Sequence, residues 1–321
     1  MPKNEKILIT GGSGLLGHAI AEYFKEYSQP QKFLGEKLLW PPISPRKTRR
    51  YYEVCATYLN HYFPLKEIKS IKVDLRDKKA TINLIKKINP RLIIHTSALT
   101  DVDFCERHPD EAHKTNVDMV SNVIEGCKIT SSDLIHISTS YVFDGKKGNY
   151  AEEDTPNPLN VYSKTKYSAE KLVLNSNLNY IIIRTIIYGW NIQNKKCFAE
   201  KIISDLRENK RVYAYVDQSS SPILVNHLAE LLHRLYLKNA KGIFHVGCDE
   251  SVSRYEFAVE VAEVFSLDKS LIIPVTTEQT PQKAKRPKDV SLNNKKVRTL
   301  LGIKSISLER DINIMRTYCI S

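Results

Sequence analysis

Residues 7–17 read Ile-Leu-Ile-Thr-Gly-Gly-Ser-Gly-Leu-Leu-Gly, an apolar strand that leads directly into three glycines spaced three residues apart. Gly11 permits a tight turn from strand to helix, Gly14 lets the backbone approach a pyrophosphate, and Gly17 lets the helix pack closely on the sheet. The N-terminus of that helix favours negative charge at the same point. The pattern predicts a dinucleotide-binding turn. Its predicted binding residues are Gly11, Ser13, Gly14, Leu15, Leu16 and Gly17.

Six apolar runs alternate with helical patterns along the first part of the chain. This alternation predicts an α/β fold with a doubly wound parallel sheet, as in an NAD(P)-binding Rossmann domain. The 321 residues, 42% of them hydrophobic, suffice for about two domains. The predicted strands are Ile7–Thr10, Tyr52–Tyr58, Ile71–Val73, Leu92–His95, Leu134–Ser138 and Tyr180–Ile183.

The regular alternation of predicted strands and helices ends after the sixth predicted strand. We expect a Rossmann dinucleotide-binding domain over residues 1–188 and a smaller C-terminal α/β substrate-binding lobe over residues 189–321. Part of residues 210–240 is expected to return to the first domain. Residues 28–50 interrupt the alternation and predict an inserted surface loop. Further predicted elements are a helix over Val225–Lys238, a strand at Gly242–Val246 and a helix from about Arg254 to Phe265.

The composition is that of an ordinary globular protein, and it excludes several classes of function. The net charge is +12, but the lysines are spread along the chain without a known nucleic-acid-binding motif, so we expect no nucleic-acid partner. A positive cleft would instead attract an anionic cofactor and an anionic substrate. There is no secretory leader pattern and no uninterrupted spanning segment, which favours a cytoplasmic protein without membrane contact. The six scattered cysteines and the histidines lack metal-ligand spacing, so no metal site is expected.

Two segments bear on the choice of cofactor. Residues 58–61, Tyr-Leu-Asn-His, offer neither an acid for a ribose 2′-hydroxyl nor an arginine for a 2′-phosphate. The missing acidic residue favours NADP(H) over NAD(H), and the missing arginine leaves both cofactors open. Asp74 and Leu75 follow the third predicted strand, where Asp74 can bond the adenine or the neighbouring backbone. For Asp74, capping of the next helix is the alternative.

Three residues form a candidate acid/base group. Tyr162 and Lys166 are four residues apart on a predicted helix, so their side chains share one face. A nearby ammonium group favours the phenolate, and we expect it to lower the pKa of Tyr162. Thr139 ends the fifth predicted strand, and its hydroxyl can bind the same substrate carbonyl oxygen. The sequence therefore predicts proton transfer to a carbonyl.

The same tyrosine-to-lysine spacing occurs at two other places in the chain. Tyr62 and Lys66 are separated by a proline, which disfavours a helix there. Tyr167 and Lys171 lie on the same predicted helix as Tyr162, but Tyr167 is about 140° around it from Tyr162. Only one of these pairs can face a cofactor.

With these residues and further motifs, the chain resembles the extended short-chain dehydrogenases/reductases, and within them the dTDP-4-dehydrorhamnose reductase family. The resemblance covers nearly the whole length. The further motif residues are Thr100–Asp103, Cys105-Glu106, Asn116-Val117, Ser138-Thr139, Tyr141–Gly145, Arg184-Thr185, Asp217-Gln218 and Arg286-Pro287.

The resemblance implies reduction of a 4-keto nucleotide sugar by NAD(P)H, in the biosynthesis of dTDP-L-rhamnose or a related deoxysugar. It assigns proton donation to Tyr162, and binding of the nicotinamide ribose to Lys166. Thr139 would polarise the carbonyl, and Asn116 would support Lys166 through water. Ser97 and Ala98 would line the cofactor cleft.

The sugar pocket departs from the family pattern. Ser140 stands where the family has an acidic residue, next to a retained Tyr141. A 4,6-dehydratase is disfavoured because these two residues cannot supply the acid/base pair that eliminates water. The resemblance suggests Arg286 as a diphosphate ligand, and a surface salt bridge is the alternative.

Three functional hypotheses stay open at this stage. The reductase is favoured because every proton-transfer residue is present. A non-enzymatic dinucleotide-binding regulatory subunit, resembling the beta subunit of methionine adenosyltransferase, would bind cofactor without reducing a ketone. A nucleotide-sugar epimerase would regenerate its cofactor in each cycle. The oligomeric state is open as well, with a homodimer as one candidate assembly.

Overall fold

The computed structural model describes residues 5–28, 52–62, 65, 68–193 and 195–318. The predicted inserted loop over residues 28–50 lies outside them, apart from Ser28. Across the described ranges, every helix is too short or too polar to cross a lipid bilayer.

Strands and helices alternate along the first part of the chain. The strands are β1 (Glu5–Thr10), β2 (Tyr52–Tyr58), β3 (Lys69–Lys72), β4 (Leu92–His95), β5 (Asp133–Ile137), β6 (Tyr180–Arg184), β7 (Ile186–Tyr188), β8 (Val212–Tyr215), β9 (Ser219–Ser220), β10 (Pro222–Leu224), β11 (Gly242–His245), β12 (Val252–Ser253) and β13 (Ile272–Val275). Seven of them form one sheet in the order β11-β6-β5-β4-β1-β2-β3, and every neighbouring pair is parallel. The predicted α/β fold with a parallel Rossmann-like sheet is confirmed.

The helices cover both faces of this sheet. They are α1 (Leu15–Ser28), α2 (Lys78–Ile88), α3 (Val102–Arg107), α4 (Pro109–His113), α5 (Met119–Thr130), α6 (Val161–Leu174), α7 (Phe198–Arg207), α8 (Val225–Leu237), α9 (Arg254–Val264), α10 (Lys295–Leu301) and α11 (Leu308–Tyr318). A π-helical turn, Lys114–Asp118, joins α4 to α5. Side chains alternate between the faces of a strand, so Ile7 and Ile9 pack toward α1 and α8, whereas Leu8 packs toward α2, α5 and α6.

The third strand differs from its predicted position. It occupies Lys69–Lys72 instead of Ile71–Val73. Within the described residues it is an edge strand that pairs only with β2, and its two lysines are exposed. An edge strand does not need a continuous apolar run, so hydrophobicity located it poorly.

The last third of the chain contributes to both the central sheet and a smaller lobe. Helix α8 packs against α1, and β11 lies beside β6 in the central sheet. A strand beyond the predicted 210–240 range, β11, therefore also belongs to the central sheet. Three short pairs build the lobe: β10 with β7, β12 with β9 and β13 with β8.

Buried polar residues end the central strands on the face toward α5 and α6. Thr10 on β1 and His136 on β5 both pair in register with His95 on β4, and His245 on β11 pairs with Arg184 on β6. All five are at most 2% exposed. Parallel α/β sheets bind ligands at the carboxyl ends of their strands, so this polar row underlies the expected site.

Candidate active site and cofactor cleft

The turn after β1 requires its glycines for separate reasons. Gly11 has φ +68°, in the left-handed region, and a Cβ there would lie 2.8 Å from the Ser97 hydroxyl. A Cβ on Gly17 would lie 2.2 Å from the carbonyl oxygen of Gly11, which agrees with the predicted close packing of helix on turn. The N–H groups of Gly11 and Gly12 donate to the Thr57 hydroxyl and carbonyl, at 3.2 and 2.7 Å. The turn is thereby fixed to β2.

The same turn leaves room where a dinucleotide pyrophosphate would approach. A Cβ on Gly14 would meet only the carbonyl oxygen of Gly11, at 3.2 Å, so the backbone there is open on its other sides. Ser13, Leu15 and Leu16 lie at the start of α1, where N–H groups lack intrahelical acceptors. These features fit an anionic dinucleotide.

Two neighbouring segments lie beside this turn. Ser97 follows β4, and its N–H lies 3.4 Å from the Thr10 hydroxyl, whereas Ala98 is half-buried next to it. Beyond β3, the hydrogen bonds of Arg76 hold the pKa of Asp74 below its ordinary value, with an ion pair of 2.7 Å. Leu75 is buried.

The alternative capping role of Asp74 is wrong. The N-cap of α2 is Asp77, whose side chain accepts from the N–H of Ala80. Asp74 instead binds Arg76, so its carboxylate already has a cationic partner.

The candidate acid/base residues meet at the end of β5. Thr139 follows β5, and Tyr162 lies in the first turn of α6, close enough for the Thr139 side chain to lower its pKa. Lys166 lies one turn further along α6, and its Nζ donates to the carbonyl oxygen of Ile137 at 2.7 Å. Helix α6 begins after Asn160, whose side chain accepts from the N–H of Ser163 in a capping box. The helix start thus positions Tyr162 beside the strand end.

The other two tyrosine-to-lysine spacings lie elsewhere. Tyr62 is 65% exposed in irregular structure beyond β2. Lys171 lies over the Tyr167 ring, 5.0 Å from its centre. Tyr162 and Lys166 are the pair beside Thr139.

The electrostatics of this group differ from the sequence expectation. Burial raises the pKa of Tyr162 above its ordinary value, and the nearby Thr139 side chain offsets this only in part. The predicted lowering by Lys166 is wrong for this structure because burial outweighs the other effects. Burial also lowers the pKa of Lys166 to about 8, opposed by the charge of Glu170.

Asn116, in the π-helical turn, binds the helix that carries Tyr162 and Lys166. Its Oδ1 accepts from the N–H of Leu99 at 2.8 Å, and its Nδ2 donates to the Leu99 carbonyl and to the Thr165 hydroxyl, both at 3.1 Å. The widened helical turn, a feature common at functional sites, is not visible in the sequence. Asn116 therefore contacts the residue next to Lys166.

Two buried histidines lie below this group, in the core role that the sequence favoured. The rings of His95 and His136 stack with centres 5.7 Å apart. The Thr10 hydroxyl is 2.8 Å from His95 Nδ1. Burial, and to a smaller extent the charge of Lys166, lowers the pKa of His95 to about 3. The same two causes lower the pKa of His136, so both rings are neutral beside Lys166.

Of the expected substrate residues, Tyr141 lies beside Tyr162, with its ring edge-on and the ring centres 6.4 Å apart. Ser140 is buried. Arg286 is 9% exposed and binds Asp103, which is 35% exposed, at 3.1 Å, so this half-buried ion pair joins α3 to the C-terminal part of the chain. The sequence missed Arg254, whose Nη2 lies 3.5 Å from the Tyr141 hydroxyl. No spacing rule connects these two residues, which are 113 positions apart.

No group of three or more acidic, histidine or cysteine side chains in the described ranges is arranged to hold a metal ion. The arrangement of hydroxyls and a lysine beside a dinucleotide turn can instead transfer a proton to a carbonyl oxygen.

Comparison with known proteins agrees with this geometry. The chain is 32% identical over 307 residues to methionine adenosyltransferase 2 subunit beta of Bos taurus, covering 92% of this chain and 83% of that protein. It is 28% identical over 326 residues to the dTDP-4-dehydrorhamnose reductase of Aggregatibacter actinomycetemcomitans, with 98% and 99% covered. The solved structure of a dTDP-4-dehydrorhamnose reductase from Bacillus anthracis, in complex with NADP, matches with TM-score 0.79 and 25% identity over 99% of this chain and 100% of that one. The resemblance inferred from the motifs is confirmed. Because the model of the RmlD substrate binding domain matches residues 5–317, the chain belongs to that family.

Proposed function

We propose that the protein reduces the keto group of a 4-keto nucleotide sugar with NADPH or NADH, as a dTDP-4-dehydrorhamnose reductase-like enzyme. The observation that carries this proposal is the position of the Thr139 side chain beside Tyr162, where it lowers the pKa of that phenol, with Lys166 one turn away. Two hydroxyls placed side by side can both contact one carbonyl oxygen. The reductases among the relatives support the substrate class.

The dinucleotide would be held by Gly11–Gly17, Ser97 and Ala98, with the adenine end toward Asp74 and Leu75. The open side of Gly14, and the start of α1 where helix geometry leaves N–H groups without intrahelical acceptors, support this assignment. The NADP in the Bacillus anthracis relative supports the cofactor class. When bound, NAD(P)H supplies a hydride to the carbonyl carbon.

Tyr162 would donate the proton that the carbonyl oxygen requires. Its raised pKa keeps the phenol protonated at neutral pH, which is the form a proton donor needs. Thr139 polarises the carbonyl through a second hydrogen bond. After the transfer, a phenolate in a buried site needs a nearby positive charge.

Lys166 would supply that charge. With a pKa of about 8 it is mostly protonated at pH 7, and its Nζ is held by the Ile137 carbonyl. Asn116 supports the same turn of α6 through Thr165. Lys166 therefore stabilises the phenolate that Tyr162 becomes when it donates its proton.

The proposal is tested by NADPH oxidation in the presence of dTDP-4-dehydrorhamnose. Tyr162→Phe should abolish turnover, because it removes only the hydroxyl. Tyr167→Phe is a matched control on the same helix, also four residues before a lysine, and should retain activity. Absence of turnover by the wild type with this sugar and with other 4-keto nucleotide sugars would overturn the proposal.

A regulatory role is the second candidate, because methionine adenosyltransferase 2 subunit beta is 32% identical over 92% of this chain. It predicts NADPH binding without ketone reduction, together with a stable complex with a catalytic subunit. Co-purification and cofactor titration of the wild type distinguish the two candidates.

A further inference from the structure

Arg254 lies at the start of α9 with its guanidinium held on two sides. Its Cζ lies 4.5 Å from the centre of the Phe198 ring, and its Nη2 donates to the Tyr141 hydroxyl at 3.5 Å. In the part of the chain that the structure describes, Arg254 forms no ion pair with a carboxylate. Its charge is therefore fixed in position without an anionic partner.

Tyr141 connects this cation to the candidate catalytic residues. Its ring centre is 6.4 Å from that of Tyr162, and its N–H donates to the Thr139 hydroxyl at 3.2 Å. Arg254 thus lies one tyrosine side chain away from the candidate proton donor. A substrate bound with its carbonyl at Tyr162 would extend past Tyr141.

Arg286, the diphosphate ligand expected from the sequence, is already neutralised. Its Nη1 is shared between Asp103, at 3.1 Å, and the carbonyl oxygen of Ala284, at 2.8 Å. Burial alone would raise the pKa of Asp103, but the N–H of Ala284 and the guanidinium hold it below its ordinary value. The carboxylate therefore stays charged and bound to Arg286.

We propose that Arg254, together with the Tyr141 hydroxyl, binds the diphosphate of the nucleotide-sugar substrate, whereas Arg286 mainly ties α3 to the lobe. A guanidinium presents N–H groups in a planar fork that matches phosphate oxygens in pairs. The Phe198 ring covers one face of the guanidinium and leaves its edge for such contacts. The inference rests on the proposed function, because it assigns the diphosphate of that substrate.

The test is calorimetric titration of the full chain with dTDP, with inorganic pyrophosphate and with thymidine, which has no phosphate. Arg254→Gln should weaken dTDP binding about ten- to a hundredfold, the loss expected for charge-assisted hydrogen bonds. Thymidine binding should be unchanged, and Arg254→Lys should recover part of the dTDP affinity. If Arg254→Gln lowers the affinity for pyrophosphate as much as that for dTDP, the effect is assigned to the diphosphate alone.

Arg316→Gln is the matched control, because Arg316 binds the carbonyl oxygen of Val264 at the other end of α9. It removes the same charge and should leave dTDP affinity unchanged. Equal dTDP affinities of Arg254→Gln and the wild type, or no dTDP binding by the wild type, would overturn the inference.

Kinetics separate this inference from the proposed function. With turnover present, Arg254→Gln should raise KM for the nucleotide sugar about tenfold or more and leave kcat nearly unchanged. If Tyr162→Phe abolishes turnover and Arg254→Gln does not change KM or kcat, the reductase proposal is supported and the diphosphate assignment is rejected. If dTDP binding depends on Arg254 but the protein reduces no ketone, only the reductase proposal is rejected and the diphosphate assignment stands.

Discussion

Glu170 on α6 accepts two hydrogen bonds from Arg184 at the end of β6, from Nε at 3.1 Å and from Nη2 at 2.8 Å. Both side chains are at most 2% exposed. The Ser138 hydroxyl donates to the same carboxylate at 2.5 Å. Glu170 lies one turn after Lys166, and Ser138 immediately precedes Thr139. The buried pair therefore holds the helix that carries Tyr162 and Lys166 against the segment that carries Thr139.

Breaking this pair should be costly for the fold. Glu170→Leu or Arg184→Met is expected to lower the free energy of unfolding by about 3–5 kcal/mol, because each leaves a buried group without its partner. The double variant Glu170→Leu with Arg184→Met should lose less than the sum of the single variants. Urea denaturation checks this, and additive losses would contradict it.

The pH dependence of activity should report Lys166. Its pKa is about 8, below the ordinary lysine value of 10.5, so its ammonium is lost as the pH rises through about 8. We expect kcat/KM to fall across that range, because the neutral amine no longer stabilises the phenolate of Tyr162. Lys166→Arg, which stays protonated, should have a lower rate but no such decline. A decline that persists in Lys166→Arg would assign it to another group.

The same shift carries a stability prediction. Between pH about 8 and 10.5 the unfolded chain binds more protons at Lys166 than the folded protein does. The contribution of Lys166 to the free energy of unfolding should therefore rise with pH in this window. Unfolding of the wild type and of Lys166→Met, compared across the window, measures it. A contribution that falls with pH would contradict the depressed pKa.

Asn116 should affect catalysis as well as stability. Asn116→Ala leaves the Leu99 backbone and the Thr165 hydroxyl without their partner, and we expect a loss of about 1–3 kcal/mol in stability. We also expect kcat to fall about tenfold, because the turn of α6 that carries Lys166 loosens. Asn294→Ala is the control, since this buried amide binds the Gly247 carbonyl and the Asp249 carboxylate instead. It should lose comparable stability and keep kcat.

Two glycine substitutions separate folding from cofactor binding. Gly17→Ala places a methyl group 2.2 Å from the Gly11 carbonyl oxygen and should cost about 1–3 kcal/mol of stability. Gly14→Ala meets that oxygen at 3.2 Å, so the protein should fold but bind NADPH weakly. NADPH fluorescence titration with parallel thermal unfolding distinguishes them. Unchanged NADPH affinity of Gly14→Ala would reject the assigned pyrophosphate position.

The sequence alone was enough to predict the central sheet and the candidate catalytic residues. Each of these depends on local order: an apolar run followed by glycines, or a tyrosine one helical turn before a lysine. The edge strand β3 was misplaced because exposure on both faces removes the apolar signal.

Only the tertiary structure decided which charges are satisfied and which are available. Arg286 and Arg254 are both candidate diphosphate ligands, yet Asp103, far away in sequence, pairs with the first and leaves the second. Burial likewise raises the pKa of Tyr162, which its spacing from Lys166 does not reveal. Local spacing determines which side chains share a helical face, whereas desolvation and ion pairing depend on groups that only the folded chain brings together.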